Sequence, residues 1–566
     1  MAGAAALWTA VVALAGGVTL GSGRLGLSSK DPARPLAAAA VLALTSLALL
    51  GRARFAAAVQ VVIGRPDQRS RRVAVAASAA VFVVAVAWNT RAAGGSDSSC
   101  YLLQADAFAH GRVTLPAPPP DLPPGVTPAL YAPTGFVASP RPPFAPVPIC
   151  AAGLAVVMAP AVLARHDLVF LIVPLFAALA VWCTFLLGAR CGDAVAGAGA
   201  AILLACSPVF LYQAVQPMSD VPAASLLVAA LVLLARGDGR GRVAAGVCAS
   251  LAVLMRPTAA LAAAPLLVLL PAPGGSRGWL RGWVAFACGA APAAGAMLLL
   301  NAARYGSAFA SGYGSTGALF SWAHVVPNLT RYPGWLVETE TPFVALAAFA
   351  PAVLRGRPRR VAVAAAGIVT LTVAIHLAYT VFDEWWYLRF LLPALPLLLV
   401  FSVVVLRRIV PRVAVVAACA AIAAWGIHVA VRRQVFELQG LESRFRLTGE
   451  YAARALPANA VVFAVQQSGS ARFHGGRASL SWDVIAPDAL DGTIAWARAR
   501  GFAPVIALED EEAPRFRARF GTQAAGQLDW PPDAEIHAPV RVRIFDPGRR
   551  VEYTNGGRVQ TEHIRR

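Results

Sequence analysis

Between residues 4 and 430 the chain keeps returning to apolar runs, most of 15 to 21 residues, joined by short loops rich in arginine. A helix of about 20 residues crosses the ~30 Å hydrocarbon core of a bilayer, and these runs approach that length. Thirteen such spans are expected, at 4–22, 35–50, 72–89, 168–188, 194–212, 221–236, 241–255, 257–271, 283–301, 342–354, 361–380, 388–406 and 412–430. Only 14% of the residues are charged and 58% are hydrophobic, whereas a soluble domain carries about 25% charge. The chain reads as an α-helical polytopic membrane protein. The N-terminal MAGAAALWTAVVALAGGVTLG has no basic flank, so it reads as a retained first span and not a cleaved signal.

A formal net charge of +20 would point to nucleic acid in a soluble protein. Here sidedness accounts for it. With a cytoplasmic N-terminus, the inner loops 51–72, 189–193, 235–242, 276–282, 355–360 and 407–412 hold nineteen arginines against three aspartates. That is the positive-inside pattern, and no nucleic-acid partner is expected. The outer loops collect Asp97, Asp106, Asp121, Asp220, Glu338, Glu340, Asp383 and Glu384. A further apolar stretch, 146–163, carries prolines near both ends. If it spanned, the later Arg-rich loops would face outward, so it is expected to lie in the interface or dip into it. One lysine, Lys30, beside 48 arginines, with abundant alanine, suits a GC-rich bacterial genome.

An odd number of spans puts the polar tail outside the membrane. In it AVVFAV (460–465), PVIAL (504–508) and RVRIF (541–545) read as strands, separated by helical patterns at 437–455, 487–500 and 510–520. The expected parts are therefore three. Residues 1–71 form two spans and a basic cytoplasmic loop, 72–430 the main membrane domain with its first outer loop at 90–167, and 431–566 a small extracytoplasmic α/β module. Cys100 and Cys150 bracket the first outer loop, where an oxidising compartment would permit a disulfide between them. No nucleotide-binding glycine loop is present, and no spacing of His, Cys and carboxylates suggests a structural metal.

The outer loops bring together residue types that suit chemistry. The first opens GGSDSSCYLLQADAFAHGRV (94–113), with Asp97, Tyr101 and Gln104. The second, QAVQPMSDVPAA (213–224), carries Asp220, and the third, LMRPTA (254–259), carries Arg256. The fourth (301–343) is rich in Tyr, Gly and Trp and includes Tyr313 and Glu338. The fifth, FDEWWYLRFLLPALP (382–396), holds Asp383, Glu384 and Arg389. Plainer accounts exist. Asp97 and Asp220 can cap helices, Trp385, Trp386 and Tyr387 can form an interfacial aromatic belt, and Arg389 can snorkel. Yet an ionisable group inside an apolar run is costly and usually functional. A carboxylate at the lipid–water boundary is partly desolvated, which makes it a stronger base. An arginine nearby can grip a phosphate through a charge-assisted fork. The set suits group transfer from a lipid-linked phosphosugar.

On these residues the chain resembles the membrane glycosyltransferases of the C superfamily (GT-C). The likeness is to the family-39-like branch that includes protein O-mannosyltransferases and the lipid A aminoarabinose transferase. The resemblance runs over 72–430. It rests on Asp97 in SDSSCYLLQADAFAHGR soon after a span, the interfacial 146–163 stretch, Asp220 in QPMSD, and a later outer-facing arginine. It implies a GT-C-like fold and an enzyme that moves a sugar from a polyprenyl-phosphate donor, usually with inversion. The acceptor would be a glycan, lipid or protein at the outer face of the bacterial cytoplasmic membrane. Asp97 takes the general-base role and Asp220 a supporting one. Arg256 and Arg389 are assigned to the leaving phosphate on charge and sidedness. Tyr101, Gln104, Tyr313, Glu338, Asp383 and Glu384 are substrate-pocket candidates. Asp97 is followed by Ser98 where O-mannosyltransferases commonly have Asp-Glu, which counts against mannose and not against the superfamily. No cofactor is assigned, since two carboxylates are poor evidence for a divalent ion. The alternatives are a lipid or polysaccharide transporter or flippase, which would want its polar sites near the midplane, and a non-catalytic envelope assembly protein.

Overall fold

The computed structural model describes residues 66–271 and 275–565, with the backbone of two short strands, β1 (Val18–Leu20) and β2 (Leu27–Ser29), which pair antiparallel. The expected spans at 4–22, apart from β1 at its end, and at 35–50 lie outside the described residues.

The remaining eleven expected spans all fall on helical segments, in three kinds. Five are continuous helices long and apolar enough to cross a membrane: Asp67–Ala87, His166–Cys191, Gly275–Tyr305, Gly356–Leu377 and Arg412–Arg432. Three belong to bent pairs: the bends break the straight spans expected at 194–212 and 388–406, while the span expected at 342–354 is the second arm of a pair whose first arm lies in the expected fourth loop. Ala194–Ala205 meets Pro208–Ala214 at 63°, Trp322–Glu340 meets Pro342–Val353 at 101°, and Trp385–Leu391 meets Leu395–Ile409 at 79°. Proline explains the breaks, because it lacks an N–H and crowds the preceding turn. Ser207 caps the helix restarting at Pro208, and Thr341 takes a left-handed φ of 64° before Pro342. The last three are short: Asp220–Leu234 has 15 residues, Gly239–Met255 has 17, and Ala259–Ala263 runs into a 3-10 segment, Ala264–Leu269. At 1.5 Å per residue each falls short of a straight crossing.

Packing separates core from lipid-facing surface. In Asp220–Leu234 every residue but Leu233 is buried, so this helix is central. Gly275–Tyr305 is peripheral. Its Gly282 and Gly289 lie directly against the backbones of Leu270 and Val243, while Leu280, Val284 and Leu299 are exposed. Small residues at helix contacts and bare apolar side chains elsewhere are what a bilayer selects. The arginine-rich turns gather at one end of the bundle. Arg407 binds Asp193 at 2.9 Å, and Arg357 donates to the Leu234 carbonyl at 3.1 Å.

The first long loop starts with a helix, Gly95–Ala109. A disulfide joins Cys100 in it to Cys150. The 146–163 stretch is not one helix. It opens as strand β4 (Pro146–Pro148), paired with β3 (Phe136–Ala138), and becomes helical only over Gly153–Ala164. At 12 residues that helix does not span.

The C-terminal part is a six-stranded mixed sheet, order β10-β8-β9-β7-β5-β6. Its strands are β5 (Ala460–Phe463), β6 (Ala478–Leu480), β7 (Ala503–Glu509), β8 (Ala534–His537), β9 (Val542–Phe545) and β10 (Glu562–Arg565). The three expected strands appear as β5, β7 and β9. β6, β8 and β10 each hold at most one Val, Ile, Thr, Tyr, Phe or Trp, where β5, β7 and β9 hold two or more, so they do not stand out as strands. The Pro-rich part of the first loop completes this module. Leu130 is fully buried in the core formed by Val461, Phe463, Trp482 and Phe516. Ser481 donates to the carbonyl of Leu130 through its backbone, at 2.8 Å, and to that of Ala132 through its hydroxyl, at 2.6 Å. The 468–483 stretch holds a short helix, Ser468–Phe473, that seats the module on the first-loop helix. His474 follows, its Nε2 accepting from the Ala93 N–H at 3.3 Å.

Candidate active site

Asp97 stands in the first turn of Gly95–Ala109, but its carboxylate does not cap the helix. It accepts a hydrogen bond from the Arg389 guanidinium at 2.8 Å. Arg389 is delivered by the 3-10 turn Trp385–Leu391, at the 79° bend. One helical turn beyond Asp97 and on the same face, Tyr101 shares a 2.7 Å hydrogen bond with Ser219. Burial and the Asp97 carboxylate push the Tyr101 phenol up to about 12, so it stays protonated.

Ser219 precedes Asp220, which has 3% of its surface exposed and opens the most buried helix among the described residues. Asp220 is ion-paired to Arg256. A carboxylate so buried requires a counter-charge, and the break after Met255 supplies it. The Phe390 ring joins the two pairs, its centroid 5.3 Å from the guanidinium carbons of both Arg256 and Arg389. Four charged residues from four segments of the chain are thus collected at one place. Tyr313, 38% exposed, lies near enough to Tyr101 and Asp97 to interact electrostatically.

A cleft of about 910 Å³ opens beside them, between the membrane helices and the C-terminal module. Asp97, Gln213, Trp386 and Arg389 line one side, and Arg444 and Gln466 the other. Tyr212 stacks on Trp386 at 5.8 Å. Two buried polar atoms on this wall, Gln213 Oε1 and Arg389 Nε, have no hydrogen-bond partner among the described residues. Both atoms have almost no exposed surface, so each is a polar group left unsatisfied within the wall itself.

Not every candidate residue joins this site. Arg256 is not on the cleft wall, being committed to Asp220 behind it. Gln104 sits farther along its helix, 1% exposed, accepting from Arg304 at 2.7 Å. Glu338 accepts three hydrogen bonds from Arg433, of 2.6, 2.7 and 2.9 Å. Asp383 pairs with Arg331. Glu384 is exposed at the start of its 3-10 turn and does not line the cleft. The sequence reading missed Gln213, Ser219 and Phe390. Gln213 and Ser219 lie in the stretch QAVQPMSD, where uncharged polar side chains are ordinary loop material and only the acid stands out.

With this geometry in view, similarity to known proteins can be placed on it. Residues 152–299 match the family described as dolichyl-phosphate-mannose-protein mannosyltransferase. That stretch contains Asp220 and Arg256 but not Asp97 or Arg389. No curated protein matches in sequence. The crystal structure of ArnT from Cupriavidus metallidurans bound to undecaprenyl phosphate superposes with a TM-score of 0.54 and 14% identity, over 83% of this chain and 97% of that one. Its apo form gives the same score and identity over 86% and 98%. The chain shares the GT-C fold of ArnT. Coverage of nearly the whole of ArnT means that the GT-C likeness takes in more than the membrane helices.

Proposed function

We propose that this protein transfers a sugar from a polyprenyl-phosphate donor to an acceptor hydroxyl or amine, at the outer face of a bacterial cytoplasmic membrane. The observation that carries this reading is the Asp97–Arg389 pair on the wall of the cleft, with Arg389 Nε and Gln213 Oε1 left unpartnered beside it. A base and a phosphate-binding cation are then neighbours, as a displacement at an anomeric carbon needs.

In this scheme Asp97 accepts the proton of the acceptor. The freed lone pair forms the new bond to the anomeric carbon, and the bond from that carbon to the phosphate oxygen breaks from the opposite side. The phosphate leaves on its lipid. Arg389 turns part of its charge from Asp97 to the phosphate, and the Asp220–Arg256 pair backs it from behind the shared Phe390 ring. Tyr101 fixes the helix carrying Asp97 against Ser219. No step calls on a nucleotide. The outward orientation is supported by the arginine-rich turns at one end of the bundle and by the Cys100–Cys150 disulfide, which suits an oxidising compartment.

The test is transfer by purified protein from a panel of labelled polyprenyl-phosphate sugars. Wild type should turn over one of them, and Asp97→Asn should lose 10²-fold or more, about the worth of a general base. Equal turnover by both proteins removes Asp97 from the mechanism. Turnover of no donor in the panel counts against the polyprenyl-phosphate reading itself.

A further inference from the structure

The strands that went unnoticed in the sequence carry a second constellation. β8 alternates burial along Ala534–His537, with Ala534 and Ile536 inward and Glu535 and His537 on the other face. β10 pairs with it in parallel, and His563 lies directly across from Glu535. Alternation on one strand and register on its neighbour therefore bring two imidazoles and a carboxylate onto one face. His537 Nε2 is 3.0 Å from His563 Nδ1, and these nitrogens lie 3.6 and 3.5 Å from Glu535 Oε2.

We propose that Glu535, His537 and His563 form a site for a divalent transition-metal ion, zinc in its preferences, on the outer face of the C-terminal sheet. The geometry is quantitative. A triangle with sides of 3.0, 3.5 and 3.6 Å has a centre about 2.0 Å from each corner. An ion slightly above that plane meets all three atoms at the ~2.0–2.2 Å of zinc–nitrogen and zinc–oxygen bonds. Nitrogen and oxygen donors of this kind suit zinc and its neighbours, not calcium or magnesium. Three protein ligands on a solvent-facing surface leave a fourth position open to water or to another ligand.

The surroundings hold the ligands in place. Glu535 Oε1 is occupied by Arg543 Nε at 3.2 Å, with Arg541 at 3.7 Å, which leaves Oε2 turned toward the imidazoles. Asp510 pairs with both arginines, at 3.2 and 3.3 Å, and offsets the positive charge they would present to an incoming cation. Partners that orient a ligating carboxylate in this way tune metal sites generally. An ion here ties the four-residue edge strand β10 to β8. Pro539, two residues past His537, belongs to the wall of the cleft.

The test uses the full chain in detergent, purified without a histidine tag, stripped with chelator and titrated with zinc against a competing indicator. Wild type should bind one equivalent. His537→Ala and His563→Ala should each weaken binding at least tenfold, while a His110→Ala/His166→Ala variant, altering the other histidine pair around one carboxylate, leaves it unchanged. Zinc should also raise the melting temperature of wild type and not of His563→Ala, whose exposed side chain can be removed without unfolding the sheet. X-ray absorption of the loaded protein should show two imidazole ligands. Binding that persists in both single variants, an absorption spectrum with fewer than two imidazoles, or no binding by wild type at tens of micromolar zinc overturns the assignment.

Discussion

Asp97 and Asp220 each face an arginine, but the two pairs sit in different settings. The Asp220 side chain is 4% exposed and that of Arg256 17%, whereas that of Asp97 is 28% exposed. A buried charge that loses its partner is costly, while removing both charges is not. Arg256→Ala should therefore destabilise the protein by about 3 kcal/mol, and adding Asp220→Asn should restore most of that, read from thermal unfolding in detergent. If the double variant is no more stable than the single one, Arg256 acts through something other than Asp220. These four charged residues were legible because sidedness sorts the loops before any contact is known. Their pairing was not, since it depends on where Phe390 packs. Gln104 shows the limit. It shares a helix face with Asp97 and Tyr101, but seven residues further on means about 10 Å along the axis, and there it meets Arg304.

Among the elements, the long helices were legible because an apolar run of bilayer length has few other fates. The bends at Pro208, Pro342 and beyond Arg389 were not, although proline announces them, because span-finding averages over a break. The short helix Ser468–Phe473 does not stand out in the sequence, because its Gly and Ser resemble ordinary loop material. Gly469 lies against the Ser99 side chain with no room for a Cβ. Gly469→Val should part this helix from the first-loop helix and cost about 1–3 kcal/mol. It should also raise the hydrogen exchange of residues 95–109 above wild type. Unchanged exchange there would show that the seat is looser than the packing indicates.

At the scale of the whole molecule, the seam between module and membrane helices should respond to acid. Burial, aided by Arg446 and His166 and opposed by Asp167, lowers the His474 imidazole from its ordinary 6.5 to about 4. The folded state thus takes up this proton less readily than the unfolded chain. The stability it contributes is complete above pH 6.5 and is lost as pH falls toward 4. The loss should be of the order of 2 kcal/mol, allowing for partial exposure of the ring. His474→Phe should flatten that part of the stability–pH curve, and a curve of unchanged slope would clear His474. The presence of a C-terminal module was legible in the sequence. Its reliance on Leu130 was not, because that contact joins distant parts of the chain. Ala132 and Ser481 are 349 residues apart, so at a synthesis rate of ~5–20 residues per second the partner of Leu130 leaves the ribosome roughly 20–70 s later. For that interval the nascent protein carries a bare greasy segment, and a chimera that grafts the tail alone onto another bundle would inherit a hole where Leu130 belongs.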